Sequence, residues 1–337
     1  MSQAGIRIGI LGTGAVSQVA HLPLLAGRDD VEVVAVSDTD SLKAREVASR
    51  FEIGQVLDDA DLIGDDGIDA VVVATPNHVH EAQALAALNA GKHVLVERPI
   101  ALTAAGAQRL IDAAKANDRA LMVGLSHRYR PDVTALRSFV AGGELGPVYS
   151  VSGSVLNRKV ALARTPWRQR RAEAGGGALM DLGVQLLDLC LWLVGYPEVA
   201  RVTAVTLTGD YEVEDAAVLL AESDSGIAIS LEASWSLFAD SDQYHARVLG
   251  REGSGWLPPL TMHRQLGGRP LDVTPRQSTK ENLYLAGYRR LLDRFAGMVI
   301  GERALERSEE QVRLMRVIEA AYRSAREQRE IREIEPA

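Results

Sequence analysis

The chain has 337 residues, 47% of them hydrophobic and 24% charged, with a formal net charge of −8. Hydrophobic cores stop growing before ~300 residues, so two domains are expected, and the composition excludes a wholly disordered chain. The acidic balance gives no reason to expect a nucleic-acid partner, whose phosphates such a surface repels unless basic residues are concentrated locally.

In chain order, IRIGIL (6–11) is a short apolar run of the kind that makes a fully buried strand; Gly12-Thr13-Gly14 ends it, and a helical pattern begins at Ala15. VEVVAVSD (31–38), IDAVVVAT (68–75), KHVLVERP (92–99) and RALMVGL (119–125) are four more strands. Helical segments near 15–27, 40–51, 78–90 and 104–117 are interspersed with them, which predicts a parallel sheet with helices on both faces.

After about residue 125 the rhythm changes. A helix at 131–141 and a strand at 148–156 lead into an arginine-rich stretch from Arg158 to Arg171, which contains Pro166 and Trp167 and reads as a pocket-lining loop. A helix at 177–194 ends before Gly195 and Pro197. Then 201–209, 215–223, 226–235 and 244–250 alternate, with Asp224-Ser225-Gly226 as a turn; antiparallel strands exposing one polar face are expected. Helices at 281–298 and about 304–328 close the chain. The predicted fold is α/β, an N-terminal Rossmann domain (1–125) followed by an α+β domain (126–337) with an open, mainly antiparallel sheet; the C-terminal helix is the segment able to pack back on the first domain.

The one cysteine, Cys190, sits among leucines and reads as a reduced, buried thiol. No metal site is expected. The start, MSQAGIRIGILG, shows no basic and apolar leader, and the longest apolar stretch, Leu182 to Tyr196, carries Asp188 and falls short of the ~30 Å hydrocarbon core. Cytoplasmic residence without a membrane partner is therefore the expectation.

Gly9, Gly12, Gly14 and Ser17 lie where the first strand turns into the first helix, and Asp38 ends the second strand, 24 residues after Gly14. Side chains at the glycines would block the tight turn or the approach of backbone to a pyrophosphate, which sits at the helix N-terminus. Gly12, Thr13, Gly14, Ala15 and Val16 are thus the expected cofactor-binding turn. Asp38 is placed to accept from ribose hydroxyls and to repel a 2′-phosphate, which favours NAD over NADP.

These residues also carry a resemblance. The glycine turn followed by His21-Leu22-Pro23, the stretch ATPNHVHEAQALAALNAGKHVLVERP, then VGLSHRYRP and GGGALMDLGVQLLDL resemble the glucose–fructose oxidoreductase, inositol dehydrogenase and rhizopine catabolism (Gfo/Idh/MocA) family. The resemblance implies reversible hydride transfer between a nicotinamide and a carbinol or carbonyl of a sugar, cyclitol or related polyol. It implies a second-domain sheet that lines the substrate site and supports homodimers or homotetramers. Thr75, Pro76, Asn77 and His78 match the loop that runs past the nicotinamide end, and Glu97, Arg98 and Pro99 match a Glu-Lys-Pro motif; the cofactor-binding set extends to these residues through Arg98.

Two positions depart from the family pattern. The usual lysine is Arg98, whose guanidinium can orient a hydroxyl or stabilise an alkoxide but carries no proton at working pH. Only five residues are lysines against 32 arginines, so the exchange follows a compositional bias. The usual histidine, four residues after Asp181, is Gln185, which binds a hydroxyl without accepting its proton. Losing a general base costs ~10²–10⁴-fold unless another group replaces it. Asp181 is the expected replacement, with Asp188 on nearly the same helix face as support. His78, His127, Lys159, Tyr149 and His245 are weaker proton-carrying candidates. Arg168, beside Trp167, matches a substrate-side position; with Trp167, Lys159, Arg98, Asp181 and Gln185 it completes the expected substrate-binding set. Arg128 and Tyr129 read as structural. An NAD-dependent oxidoreductase with atypical acid–base residues is the leading expectation. The alternatives are a noncatalytic NAD or sugar sensor, and an NAD-assisted elimination or glycoside hydrolysis.

Overall fold

The computed structural model describes residues 5–159, 166–276, 281–332 and 334. The chain forms two compact units: Met1–Ser126 with Tyr284–Gln311, and His127–Leu283 with Val312–Ala337.

In unit 1 the strands β1 (Ile6–Leu11), β2 (Val31–Ser37), β3 (Gln55–Val56), β4 (Ala70–Val73), β5 (His93–Val96) and β6 (Leu121–Val123) are parallel throughout, in the order β3-β2-β1-β4-β5-β6. Ile10, Leu11, Val71, Val72 and Val73 are fully buried, the pattern of a parallel sheet covered on both faces. Strand order reverses between β1 and β4, so the carboxyl ends of these two strands diverge into a crevice. The helices are α1 (Leu22–Ala26), α2 (Ser41–Arg50), α3 (Asp59–Gly64), α4 (Asn77–Asn89) and α5 (Ala104–Ala116). Local chemistry starts several of them: Asp40 accepts from Leu42 N and Lys43 N, Asp58 from Asp61 N, and Thr103 from Gly106 N. The short β3 and α3 carry too little periodicity to stand out in the sequence.

Unit 2 contains α6 (Pro131–Ala141), β7 (Val148–Arg158), α7 (Arg171–Ala174), and a π turn, Leu179–Gly183, that runs into α8 (Val184–Leu193). β8 (Val199–Leu207), β9 (Ala216–Ser223), β10 (Ala228–Leu237), β11 (Gln243–Gly250), β12 (Gly253–Leu257), β13 (Thr261–Leu266) and β14 (Arg269–Asp272) join β7 in one sheet, ordered β14-β13-β12-β11-β7-β10-β9-β8. Every neighbouring pair is antiparallel except β7 with β10. α8 lies on the inner face, where Gly153 leaves room for Leu186; 78% of the most apolar window of Arg171–Leu193 is buried, the packing of a core helix. The chain then adds α9 (Leu283–Val299), grouped from Tyr284 with unit 1, and α10 (Glu310–Glu327), most of which stays in unit 2. Ser324 on α10 accepts from Ala204 N of β8, and Ile331 pairs antiparallel with Val202.

The expectation of a polar outer face needs correction on β8 and β9. On β8 and β9 the outward residues Val205, Leu207, Val218 and Leu220 are 59%, 63%, 53% and 58% exposed. Strand alternation fixes which residues point outward, not their polarity; β10 keeps Ser230 and Glu232 there, and β11 His245 and Arg247.

Asp188 is buried rather than displayed beside Asp181. Its carboxylate accepts from Arg128 Nε at 2.7 Å and from the Tyr196 hydroxyl at 3.0 Å, while Arg128 lies over the Tyr196 ring. Asp188→Ala strands a largely buried guanidinium without its carboxylate, and chemical denaturation is expected to show unit 2 destabilised by about 3 kcal/mol.

Candidate functional site

The cofactor end of unit 1 is built at the crevice. Gly12 has φ +92°, and a Cβ there would stand 2.5 Å from the Ala74 carbonyl oxygen, so only glycine fits. Gly14 is the opposite case: no heavy atom lies within 4 Å of a Cβ placed on it, leaving the backbone open to a phosphate. Ser17 Oγ donates to Gly12 O at 2.6 Å and Gln18 Nε2 to Thr13 O at 2.9 Å, which fixes the turn. Ala15 is exposed and Val16 half-buried at its start.

Asp38 stands across this turn. Its Oδ2 accepts from Thr13 N and Thr13 Oγ1, each at 2.8 Å, and pairs with Lys43 Nζ at 2.8 Å; Oδ1 accepts from Asp40 N at 3.0 Å. Burial opposes the charge, but Lys43 and the N–H donors outweigh it and hold the carboxyl below the usual aspartate range. Lys43 was not legible from the sequence as a partner, although it lies one turn into the helix that Asp40 caps.

Thr75 Oγ1 donates to Gln83 Oε1 at 2.5 Å, Gln83 Nε2 to Asp59 Oδ2 at 2.6 Å, and Ser37 Oγ to Asp59 Oδ1 at 2.6 Å. This chain ties the end of β4 to the end of β2, and none of Gln83, Asp59 and Ser37 stood out in the sequence. Pro76 begins α4, Asn77 is buried and His78 is exposed. His80, two residues on, is the buried histidine: its ring nitrogens lie 2.8 Å from Pro99 O and 2.8 Å from Thr75 O, which joins the loops after β4 and β5. Burial pulls its pKa down against the pull of the two carbonyls.

Glu97 Oε1 lies 2.8 Å from His21 Nε2 and accepts from the Tyr288 hydroxyl of α9 at 3.0 Å. A Cβ at Gly124 would press on the same carboxylate. Burial opposes the Glu97 charge, yet His21, then Arg98 and Tyr288, lower its pKa. Glu97 thus holds its own loop in place, and Arg98 follows it, half-buried.

In unit 2, Arg168 stacks on Trp167 at 4.5 Å and its Nε lies 3.4 Å from Asp181 Oδ1. Asp181 sits in the π turn and Gln185 in the first turn of α8; both are half-buried, whereas the flanking Met180, Leu186 and Leu187 are buried. A single π turn inside a helix is a common feature of functional sites. Lys159 is not part of this cluster: it is exposed and pairs with Asp210 at 3.5 Å. The other proton-carrying candidates have different surroundings. His127 packs edge-on against Tyr244, Tyr149 is exposed, and His245 Nδ1 meets Ser154 Oγ at 2.7 Å on the outer sheet face.

A parallel sheet whose strand order reverses at a glycine turn, with an aspartate at the end of the next strand, is the architecture of a dinucleotide-binding unit, here followed by a second unit with an open sheet. Residues 6–125 match the oxidoreductase family with an NAD-binding Rossmann fold, and residues 133–255 match the GFO/IDH/MocA C-terminal domain. The chain belongs to the Gfo/Idh/MocA family. It is 32% identical over 257 residues to inositol 2-dehydrogenase of Acidothermus cellulolyticus, covering 74% of this chain and 72% of that one. It is 27% identical over 344 residues to D-glucoside 3-dehydrogenase of Escherichia coli (strain K12), covering 96% and 97%. Among solved structures, GenD2 from gentamicin A biosynthesis in complex with NAD is 27% identical, with a TM-score of 0.86 over 98% of this chain and 97% of that one. The cofactor is NAD, and the open Gly14 backbone and the Asp38 carboxylate fit it.

Two outcomes are expected. Asp38→Ala weakens NAD binding about tenfold or more in calorimetry, because it removes charge-assisted hydrogen bonds. Because the folded Glu97 pKa is depressed, its stabilising contribution is complete above the ordinary glutamate range and is lost as pH falls through the folded value. Glu97→Gln should flatten the acid limb of a thermal-stability profile, and an unchanged limb would contradict this.

Proposed function

We propose that the protein oxidises a ring carbinol of a sugar, cyclitol or related polyol, reversibly, with Asp181 as general base. The observation that carries this reading is the Trp167–Arg168–Asp181 cluster beside Gln185, a carboxylate steered by a guanidinium in a half-buried setting. Bound NAD supplies the hydride acceptor. Asp181 Oδ is assigned to take the hydroxyl proton of the carbinol, which would become the carbonyl as the bound cofactor accepts the hydride. Arg168 holds the carboxylate in orientation, and Gln185 binds hydroxyls through its amide without entering proton transfer. Arg98 is assigned to stabilising negative charge on the reacting oxygen, since it keeps its own proton. Inositols and glucosides, the compounds named for the two relatives, are the first substrates to test.

We further propose that Val205, Leu207, Val218 and Leu220 bury against a second copy of the chain. They are adjacent on paired strands, where Val205 faces Val218, and exposed apolar patches of this kind mark interaction surfaces.

NADH absorbance across a panel of cyclitols, glucosides, lactones and keto-sugars tests the reaction. Wild type should turn over one of them, and Asp181→Asn should lower kcat ~10²–10⁴-fold with an unchanged melting temperature. Retained turnover in that variant removes Asp181 from the role of base. For the surface, light scattering should show a dimer or tetramer that Leu207→Glu dissociates; a wild-type monomer would refute it.

A further inference from the structure

Helix starts need acceptors for their first amides, and the turn that carries Asp181 has none of its own: Ala178 precedes it without a side-chain cap. Three glycines, Gly175, Gly176 and Gly177, come before it, a costly way to begin a helix. One residue from elsewhere in unit 2 resolves both difficulties. Gly177 N and Leu179 N donate to Glu214 Oε1 at 2.9 and 3.1 Å, and Ala178 N donates to the main-chain oxygen of Glu214 at 2.9 Å. Three consecutive amides therefore end on Glu214.

The same Oε1 accepts from the Tyr322 hydroxyl of α10 at 2.7 Å. Glu214 is 3% exposed, and among the described residues no cationic side chain pairs with it. Its acceptor oxygen is met by amides and a phenol instead. Burial, with Glu214 beside it, holds the Tyr322 phenol well above the ordinary tyrosine value, so it remains an O–H donor.

The glycines are shaped by this contact. A Cβ on Gly176 would overlap the Tyr322 hydroxyl, and one on Gly177 would overlap the Glu214 carbonyl oxygen. They give room to the incoming groups as well as flexibility to the turn. From Gly177 the chain closes its first turn, Asp181 N donating to Gly177 O at 2.9 Å, and Gln185 follows one turn later. A helix start displaced by one residue rotates every following side chain by about 100°.

We propose that Glu214 and Tyr322 are positioning residues for Asp181 and Gln185, fixing where the turn begins and so the direction in which both side chains project. This rests on the substrate-side reading of Asp181 and Gln185 above. The helix α10, remote in sequence from those two residues, thereby acts on them through the Tyr322 hydroxyl, which meets Glu214 and the backbone of Gly177 and Met180.

The test uses full-length Tyr322→Phe, Glu214→Ala and Glu214→Gln. Hydrogen–deuterium exchange at 177–181 is read beside kcat, KM for NAD, the pH profile of kcat with the best substrate of the panel, and melting temperature. Tyr322→Phe and Glu214→Ala should speed exchange and lower kcat, each about tenfold, and shift the kcat pH profile while KM for NAD stays unchanged. Glu214→Gln keeps a carbonyl oxygen for the amides and should restore both exchange and kcat to within about threefold. A lowered melting temperature with wild-type kcat and pH profile would make the clamp merely structural and overturn the proposal. So would a Glu214→Gln variant as impaired as Glu214→Ala. If wild type turns over none of the panel, the oxidoreductase reading fails separately, and exchange alone decides: unchanged protection in Tyr322→Phe overturns the clamp, and faster exchange sustains it.

Discussion

The reversal of strand order between β1 and β4 is the constraint on which unit 1 depends. Where strand order reverses, the chain leaves β1 and β4 in opposite directions, and the sheet cannot cover the gap between their carboxyl ends. Main chain must then approach main chain closely, which is why Gly12 sits against the Ala74 carbonyl with a positive φ. The same gap leaves Gly14 bare and brings Asp38, at the end of the neighbouring strand, onto Thr13. Topology creates the opening, and short-range chemistry then polarises it.

Polarisation relies on carboxylates placed where donors converge. Asp38, Glu97, Asp188 and Glu214 are buried or nearly so, and each binds groups from chain segments distant in sequence. Removing a carboxylate from water is costly, so such a group persists only where several donors meet it with good geometry. The donors differ. Asp38 and Asp188 have cations, Glu97 has a histidine and a phenol, and Glu214 has amides and a phenol. These four groups tie loops to strands that local propensity alone would leave independent.

That difference sets what the amino-acid sequence reveals. The strands of unit 1 are continuous apolar runs and the glycine turn has a fixed spacing to Asp38, so fold and cofactor end are legible from short windows. Helix α4 likewise follows from Pro76 and the apolar spacing after it. Partnerships across long separations are not legible: Lys43 resembles any surface lysine, His80 is one of two histidines in NHVH, and Tyr322 lies 108 residues from Glu214. The face of the β8–β9 pair misled for a related reason. Alternation on two strands predicts one buried side, but whether the other meets water or protein depends on what is not encoded locally.

In the proposed reaction, Arg98 and Gln185 leave the acid–base chemistry to another group of the scaffold. Arginine keeps positive charge at the position but removes its proton from use; glutamine keeps hydrogen bonding but removes its basicity. On that proposal Asp181 is the carboxylate in the cluster with Arg168, and its use as a base depends on the direction in which it projects. A carboxylate half a turn out of place hydrogen-bonds to solvent instead of to a hydroxyl, and proximity is worth more than basicity once the pKa is in a workable range. On the proposed reading, proton transfer depends on whatever orients Asp181: the guanidinium of Arg168 on one side, and the turn that begins at Gly177 on Glu214.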